Sequence, residues 1–305
     1  VRIIRDFAEL DGINQTVLSI GNFDGVHAGH RVLLKALQAK SMNYQCPSVV
    51  FTFDPHPLEI LRPDRFPPKL TLVERKAELL KSCGVDFLFA YPTKTDLLEM
   101  SYVDFFEKFI RDELRARAIV EGPNFYFGKD RIGNVQRLGE LCDANEMDFE
   151  AVQIIENDRS PISSSVIRRL LEAGEVGLAN QLLVEPYQIE GVVVAGDQRG
   201  RQLGFPTANL QNIATLLPGD GVYSGRVSLN DQSVKCAINI GSNPTFNVVE
   251  RKVEVHLIDA TVELYDQMIC VEFIQKVRDV KRFSSAEELR MQIESDVRQI
   301  RSTSF

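Results

Sequence analysis

Two hydrophobic patterns alternate along the first part of the chain. Short apolar runs, suited to strands buried on both faces, occur at 16–20, 47–53, 86–91, 117–121 and 150–155. Between and after them apolar residues recur at spacings of three and four, at 30–40, 73–83, 101–114, 134–145 and 164–173. That is the period of a helix with one buried face. Such alternation predicts a doubly wound parallel sheet with helices on both faces. Ligands are then expected beyond the carboxyl ends of the strands. A serine cluster caps helix 164–173, and Gly174 is placed to stop it.

From Val184-Glu185-Pro186 the pattern changes. Apolar runs recur between turn residues at 189–195, 221–229, 234–240, 252–258 and 267–274, the spacing of an antiparallel barrel or sandwich. Ser284-Ser285-Ala286-Glu287-Glu288 opens a terminal helix running to about Arg301. The predicted domains are 1–184 and 185–305.

Bulk properties narrow the classes. The 305 residues carry a net charge of −8, which gives no electrostatic case for nucleic-acid binding. No apolar run reaches the ~20 residues of a membrane span. The opening Val1-Arg2-Ile3-Ile4-Arg5 has no signal-peptide pattern, and lacking Met it is expected to lie downstream of the natural start. Five scattered cysteines without a CxxC pair predict a reducing, cytoplasmic setting. Oligomeric state is not legible.

Candidate chemistry begins at Gly21-Asn22-Phe23-Asp24-Gly25-Val26-His27-Ala28-Gly29-His30, between a predicted strand and a predicted helix. Backbone N–H groups of such a turn, and the helix N-terminus behind it, suit a phosphate. His27 and His30 are expected at its rim, donating hydrogen bonds to phosphate oxygens. No cysteine or His-Glu-x-x-His pattern accompanies them, so zinc is not expected.

Three further clusters agree. Phe53-Asp54-Pro55-His56-Pro57 ends the second strand, with prolines holding His56 in place. Gly122-Pro123-Asn124-Phe125-Tyr126-Phe127-Gly128 follows the fourth strand, and Asp130, Arg131, Gly133 and Asn134 lead on into a helix. Asn124 can read a ring edge, and the aromatics can wall a planar ligand. Pro161-Ile162-Ser163-Ser164-Ser165-Val166-Ile167-Arg168 offers hydroxyls, N–H groups and a guanidinium to phosphates. No protein nucleophile is needed, because an acceptor phosphate can attack the α-phosphorus in line.

In the second domain, glycines at Gly196, Gly200 and Gly204 permit close backbone approach, with Arg199 and Arg201 beside them. Thr207 and Asn209 alternate, so on extended chain they face one way and can hold Mg²⁺ bridging nucleotide phosphates. Asn239-Ile240-Gly241-Ser242-Asn243-Pro244-Thr245-Phe246 is expected to be a second such loop. Glu254 alternates with Val253, Val255 and Leu257, faces away from the core, and is the candidate general base for a hydroxyl.

The His-x-Gly-His turn resembles the signature of the nucleotidyltransferase superfamily. Taken with FDPHP, GPNFYFG, ISSSVIR, GRQLGFPTANL, GVYSG, NIGSNPTF and VEVHLID, the chain resembles the prokaryotic bifunctional riboflavin kinase/FMN adenylyltransferases, or FAD synthetases. The resemblance implies a Rossmann-like nucleotidyltransferase domain, then a riboflavin-kinase β-barrel with a C-terminal helix. It implies phosphorylation of riboflavin to FMN and adenylylation of FMN to FAD, with ATP as co-substrate and Mg²⁺ as cofactor. Gly21, Asn22, Phe23, Asp24, Gly25, His27, His30, His56, Ser163, Ser164, Ser165 and Arg168 would hold nucleotide and phosphates, with His27 and His30 catalytic. Asn124, Phe125, Phe127 and Arg278 would meet flavin. Gly196, Gly204, Thr207 and Asn209 would hold Mg-ATP for the kinase step, and Glu254 would deprotonate the ribityl hydroxyl. The chain departs from the family pattern at Ala260, Asp266 and the stretch Arg278–Phe283 that includes Val280, which puts riboflavin affinity more in question than the kinase chemistry. A single-activity nucleotidyltransferase or a flavin-binding regulator would not require the full set of His27, His30, Thr207 and Glu254.

Overall fold

The computed structural model describes all residues except 154–161, 197–198, 230–231, 246–247, 261 and 304–305, and leaves aside the side chains of 199, 242–245 and 248–250. The expected strand end at 154–155, Pro161, Asp197, Gln198, Phe246 and the Arg199 side chain therefore lie outside the described set. The chain divides into two compact units, Val1–Ser163 and Ser164–Phe305.

The first unit is built on strands β1 (Arg2–Ile4), β2 (Thr16–Ile20), β3 (Ser48–Phe53), β4 (Phe87–Tyr91), β5 (Ala116–Glu121) and β8 (Asp148–Ala151). They form one parallel sheet in the order β1-β4-β3-β2-β5-β8. All five residues of β2 are buried, which is why an unbroken apolar run marks it. From β2 the chain passes to β3 on one side, and β5 flanks β2 on the other, so the loop after β2 sits where strand order reverses.

Helices α1 (Ala28–Tyr44), α2 (Pro57–Leu61), α3 (Val73–Ser82), α4 (Thr95–Leu98), α5 (Tyr102–Phe105) and α6 (Val135–Ala144) complete this unit. The single helix expected over 101–114 is α5 running into a π-helical stretch, Phe106–Glu113, whose Phe106, Phe109 and Ile110 are buried. Aromatic rings fill the core here: Phe51 lies 5.3 Å from Phe89 and Phe105 5.3 Å from Phe109, centroid to centroid. The edge strand β1 and the two-residue hairpin β6 (Tyr126–Phe127) with β7 (Gly133–Asn134) were too short to leave a periodic signal.

The second unit opens with α7 (Ser164–Glu172) and α8 (Val176–Leu182). The sequence pattern places the domain boundary at residue 184; the compact barrel unit also takes in both helices. The contacts are specific: Gly219 N–H donates to the Leu171 carbonyl of α7 (2.8 Å), and on α8 the Asn180 amide donates to the Phe273 carbonyl (2.9 Å) and accepts from Tyr187 N–H (2.8 Å). Gly174 ends α7 with φ +78°, as expected of a helix stop.

Strands β9 (Gln188–Val194), β10 (Ala208–Gln211), β11 (Gly221–Leu229), β12 (Gln232–Thr245), β13 (Val248–Leu257) and β14 (Met268–Arg278) close an antiparallel barrel in the order β10-β13-β12-β11-β14-β9. A helical turn, α9 (Arg199–Gln202), precedes β10. The segment from Asn239 to Thr245, expected as a loop, is the end of β12. Ile238 and Ile240 point into the core and every residue from Cys236 to Thr245 pairs with β13. The terminal helix α10 (Ala286–Ser302) is capped by Ser285 and packs Val297 and Ile300 against Ile258.

Candidate active sites

The loop after β2 is held in an unusual backbone path. Phe23 and Val26 have φ of +47° and +30°, and Gly25 +82°. Non-glycine residues in that region cost energy that the surroundings must supply. Asp24 supplies it: its buried carboxylate accepts from Leu70 N–H (3.0 Å), Thr71 N–H (3.0 Å) and the Thr71 hydroxyl (3.2 Å). Asp24 therefore anchors the loop, a different task from the phosphate contact expected of it. A Cβ on Gly21 would lie 3.0 Å from the Phe23 ring, so glycine there gives that ring room.

His27 and His30 open α1 by capping each other. His27 Nδ1 accepts from His30 N–H, and His30 Nδ1 accepts from His27 N–H, both at 3.3 Å. Their rings stack at 3.7 Å. An Nδ1 that accepts must be unprotonated, so the neutral ring carries its proton on Nε2. Burial supports neutrality: it pulls His27 down to about 4, partly offset by Asp24. His30 also falls well below the usual range, through burial and then the charges of His27 and Lys76. His56 repeats the arrangement. Its Nδ1 accepts from Leu58 N–H (3.0 Å) at the start of α2, and burial, then Lys76, lowers it. Three histidines at strand ends thus keep Nε2–H as their donor.

The sequence reading missed two groups beside this loop. Glu121, at the end of β5, is buried and accepts from Ile20 N–H (2.5 Å), tying β5 to the end of β2; burial raises its carboxyl well above the usual range. Lys76 lies on the buried face of α3 and borders a cavity of about 140 Å³ that Asn22, Asp54 and His56 also line. A lysine at helical spacing from Leu79 and Leu80 was the available signal.

The remaining predicted residues divide. A Cβ on Gly29 would lie 3.3 Å from the Ile162 carbonyl, which brings the residue before Ser163 to the start of α1. Ser164, Ser165 and Arg168 lie on α7 of the other unit, Arg168 being buried. Asn124 is exposed, at the carboxyl end of β5. Phe125 stacks on Phe127 at 5.3 Å. Phe127 itself is core, packed edge-on to Tyr102, and cannot wall a ligand as expected. The exposed ring is Tyr126, covered by the Arg131 guanidinium at 4.9 Å.

In the barrel, Glu254 is flanked on both sides. It pairs in register with Asn209 on β10 and with Asn239 on β12. Asn239 Nδ2 donates to its carboxylate at 3.1 Å. Val253 and Val255 point inward, so this row runs across the outer face. A Cβ on Gly196 would overlap the Asn209 amide, so glycine there lets the backbone pack against that side chain. His256, next on the same face, lies with Nδ1 2.8 Å from the Pro206 carbonyl and so fixes the residue before Thr207. Gly204 has φ +89° with open space about it, so it serves the turn. Thr207 lines a cavity of about 400 Å³ together with Val255, Leu257, Ala260 and Tyr265.

Arg278, expected to meet flavin, is engaged with the terminal helix. Its Nε donates to Asp296 of α10 at 2.9 Å, and its Nη1 to the Asp279 carbonyl at 3.0 Å. Asp296 is buried, so the guanidinium is committed to neutralising it. Asp266, one of the departures from the family pattern, has φ +61°. Aspartate is one of the few residues that tolerates this region, which explains how the departure is accommodated.

A parallel α/β unit with paired histidines at the switch point, followed by a six-stranded barrel carrying a carboxylate between two asparagines, defines a two-unit transferase. One half suits nucleotidyl transfer and the other phosphorylation of an alcohol. A model of the FAD synthetase family matches residues 11–166, and one of the riboflavin kinase family matches 183–304. The chain belongs to the bacterial bifunctional riboflavin kinase/FMN adenylyltransferases. It is 35% identical to the enzyme of that name from Escherichia coli strain K12, over 97% of this chain and 96% of the relative. It is 36% identical to the Pseudomonas fluorescens enzyme, over 92% and 90%. A solved structure described as a macrolide-efflux protein from Streptococcus pneumoniae superposes with a TM-score of 0.90 at 29% identity, covering 99% of each chain. No helix among the described residues is long and apolar enough to cross a membrane. The protein phosphorylates riboflavin to FMN and adenylylates FMN to FAD, reactions that imply ATP as co-substrate.

Proposed function

We propose that the two reactions use separate residue sets, one in each unit. In the barrel, Glu254 is the general base. It takes the proton of the ribityl hydroxyl as that oxygen attacks the γ-phosphorus of ATP, and ADP leaves. The observation that carries this is the Asn209–Glu254–Asn239 row: the amide of Asn239 orients one carboxylate oxygen and leaves the other for the substrate. Thr207 and Asn209 offer a hydroxyl and an amide oxygen, the hard neutral donors that Mg²⁺ accepts when phosphates and water complete its shell. They would hold the ion, which supplies charge neutralisation at the nucleotide phosphates. His256 sets the Pro206 carbonyl and so the approach to Thr207.

In the α/β unit, His27, His30 and His56 hold phosphate oxygens through Nε2–H. A phosphate oxygen of FMN attacks the α-phosphorus in line, the bond to the β-phosphate oxygen breaks, and pyrophosphate departs with the electron pair. Neutral imidazoles suit this role, since they donate without having to be desolvated as cations. Gly21, Asn22 and Gly25 present backbone to the nucleotide, Ser163 follows at the start of α1, and Asn124 and Phe125 meet the flavin. Ser164, Ser165 and Arg168 are assigned to phosphate on the resemblance of their motif alone. We place the enzyme in the cytoplasm because its five cysteines are scattered and lack a CxxC pair, the usage of a chain in a reducing compartment.

A double dissociation tests the assignment. Glu254→Gln should abolish FMN formation from riboflavin and keep FAD formation from supplied FMN. His27→Asn should do the reverse. Equal loss of both activities in either variant would sink the two-site reading.

A further inference from the structure

Lys76 stands out among the charged side chains of the first unit. It sits on the face of α3 that buries Ala77, Leu79 and Leu80, and it is only 5% exposed. A buried ammonium is costly unless an anion meets it. Asp24 and Asp54 attract it, yet among the described residues neither forms an ion pair or hydrogen bond with Nζ. The Asp24 carboxylate is instead occupied by the N–H groups of Leu70 and Thr71 and by the Thr71 hydroxyl. Burial brings Lys76 down to about 8, still protonated for the most part at neutral pH. Lys76 borders the 140 Å³ cavity shared with Asn22, Asp24, Asp54, His56 and Lys69. Asn22 and His56 belong to the loops that end β2 and β3, so the cavity opens at the carboxyl ends of the central strands.

We propose that Lys76 binds a phosphate oxyanion in the adenylyl-transfer reaction. This rests on the reading of the histidine site above. The oxyanion comes from the triphosphate of ATP, and so from the departing pyrophosphate, or from the monophosphate of FMN. Lys76 supplies positive charge and transfers no proton. As the bond between the α-phosphorus and the bridging oxygen breaks, charge gathers on the leaving group, and a buried cation stabilises it more than an exposed one would. The second cation, Lys69, is already bound to Glu59 at 2.9 Å, so among the described residues Lys76 is the cation of this cavity that no carboxylate pairs with.

The test uses the full chain with Lys76→Met and Lys76→Gln, and His56→Ala in parallel. Circular-dichroism melting and riboflavin phosphorylation report on folding. Calorimetry with inorganic pyrophosphate, and KM for ATP and for FMN in FAD formation, report on the site. Loss of a charge-assisted contact should weaken pyrophosphate binding and raise KM for ATP by about tenfold or more. A rise confined to KM for FMN would instead assign the oxyanion to the flavin phosphate. If folded Lys76 variants keep all three constants while His56→Ala weakens them, the lysine inference falls alone. If His56→Ala changes nothing either, the histidine-site reading falls with it. Failure of both lysine variants to fold would overturn the inference in favour of a structural lysine.

Discussion

His27 and His30 each accept the other's backbone N–H through Nδ1, so one pair of rings both starts helix α1 and fixes the tautomer it presents. Capping and chemistry therefore rest on different atoms of the same ring. His27→Asn separates them. Its amide oxygen replaces Nδ1 as the cap but offers nothing at the Nε2 position. Stability should stay close to that of the native chain while FAD formation collapses. His27→Ala should lose both, with about 1 kcal/mol from the missing cap. Thermal melts beside FAD assays read the two effects. A variant His27→Asn with full adenylyltransferase activity would refute the role given to Nε2.

The same burial predicts a pH dependence. The folded state holds His27 near 4, below the ordinary 6.5. Between those values the unfolded chain takes up a proton that the folded chain refuses. Stability is thus complete above about 6.5 and is lost as pH falls, by roughly 3 kcal/mol at the lower limit. Tm measured from pH 7 to pH 5 should fall, and the slope should flatten in His27→Asn. An unchanged slope in the variant would mean that His27 is not the titrating group.

At Glu121 the sign reverses. Its raised carboxyl favours the neutral form, so its support for folding is complete below the ordinary 4.5 and is lost as pH rises from there through its folded value. Glu121→Gln keeps an oxygen for Ile20 N–H and removes the charge, and should be as stable as the native chain or more so at pH 8. Glu121→Leu leaves that buried N–H unmet, at a cost of about 1–3 kcal/mol. Denaturant unfolding of the two variants distinguishes charge from acceptor.

In the barrel, Asn239→Ala removes the donor that orients Glu254. We expect kcat for riboflavin phosphorylation to fall with KM for ATP little changed, because the carboxylate loses the donor that holds it in place for the proton transfer. FAD formation from supplied FMN should be untouched. A loss confined to KM for ATP would mean that Asn239 serves nucleotide binding instead.

Arg278→Ala should act on stability. It leaves Asp296 buried without its cation, at a cost of about 3–5 kcal/mol. Chemical denaturation measures the loss, and the double variant Arg278→Ala with Asp296→Ala should recover part of it. No recovery would argue against the pair as the source.

Much of this architecture was legible as period and punctuation. The five-residue run of β2, the 3–4 spacing of α1 and the serine cap of α10 each read directly from residue type. The site was legible where a motif is local, as in the paired histidines. It was not legible where function depends on residues brought together from afar. Nothing near Glu254 in sequence announces Asn239, because the pairing of β12 with β13 creates that contact. Arg278 reads as a basic residue near a motif until Asp296, on a helix further along, claims it. Phe127 likewise reads as an aromatic wall until the core accounts for it.

The three-residue strand β1 has a practical consequence. It pairs on one side with Phe87–Phe89, Ile4 behind it is fully buried, and Phe7 packs on Phe89, Tyr91 and Phe109. Trimming the first seven residues would strip the cover from β4 and leave a hydrophobic strand with open N–H and C=O groups, the kind of edge that recruits other chains. A shortened protein would be expected to precipitate before either active site was disturbed.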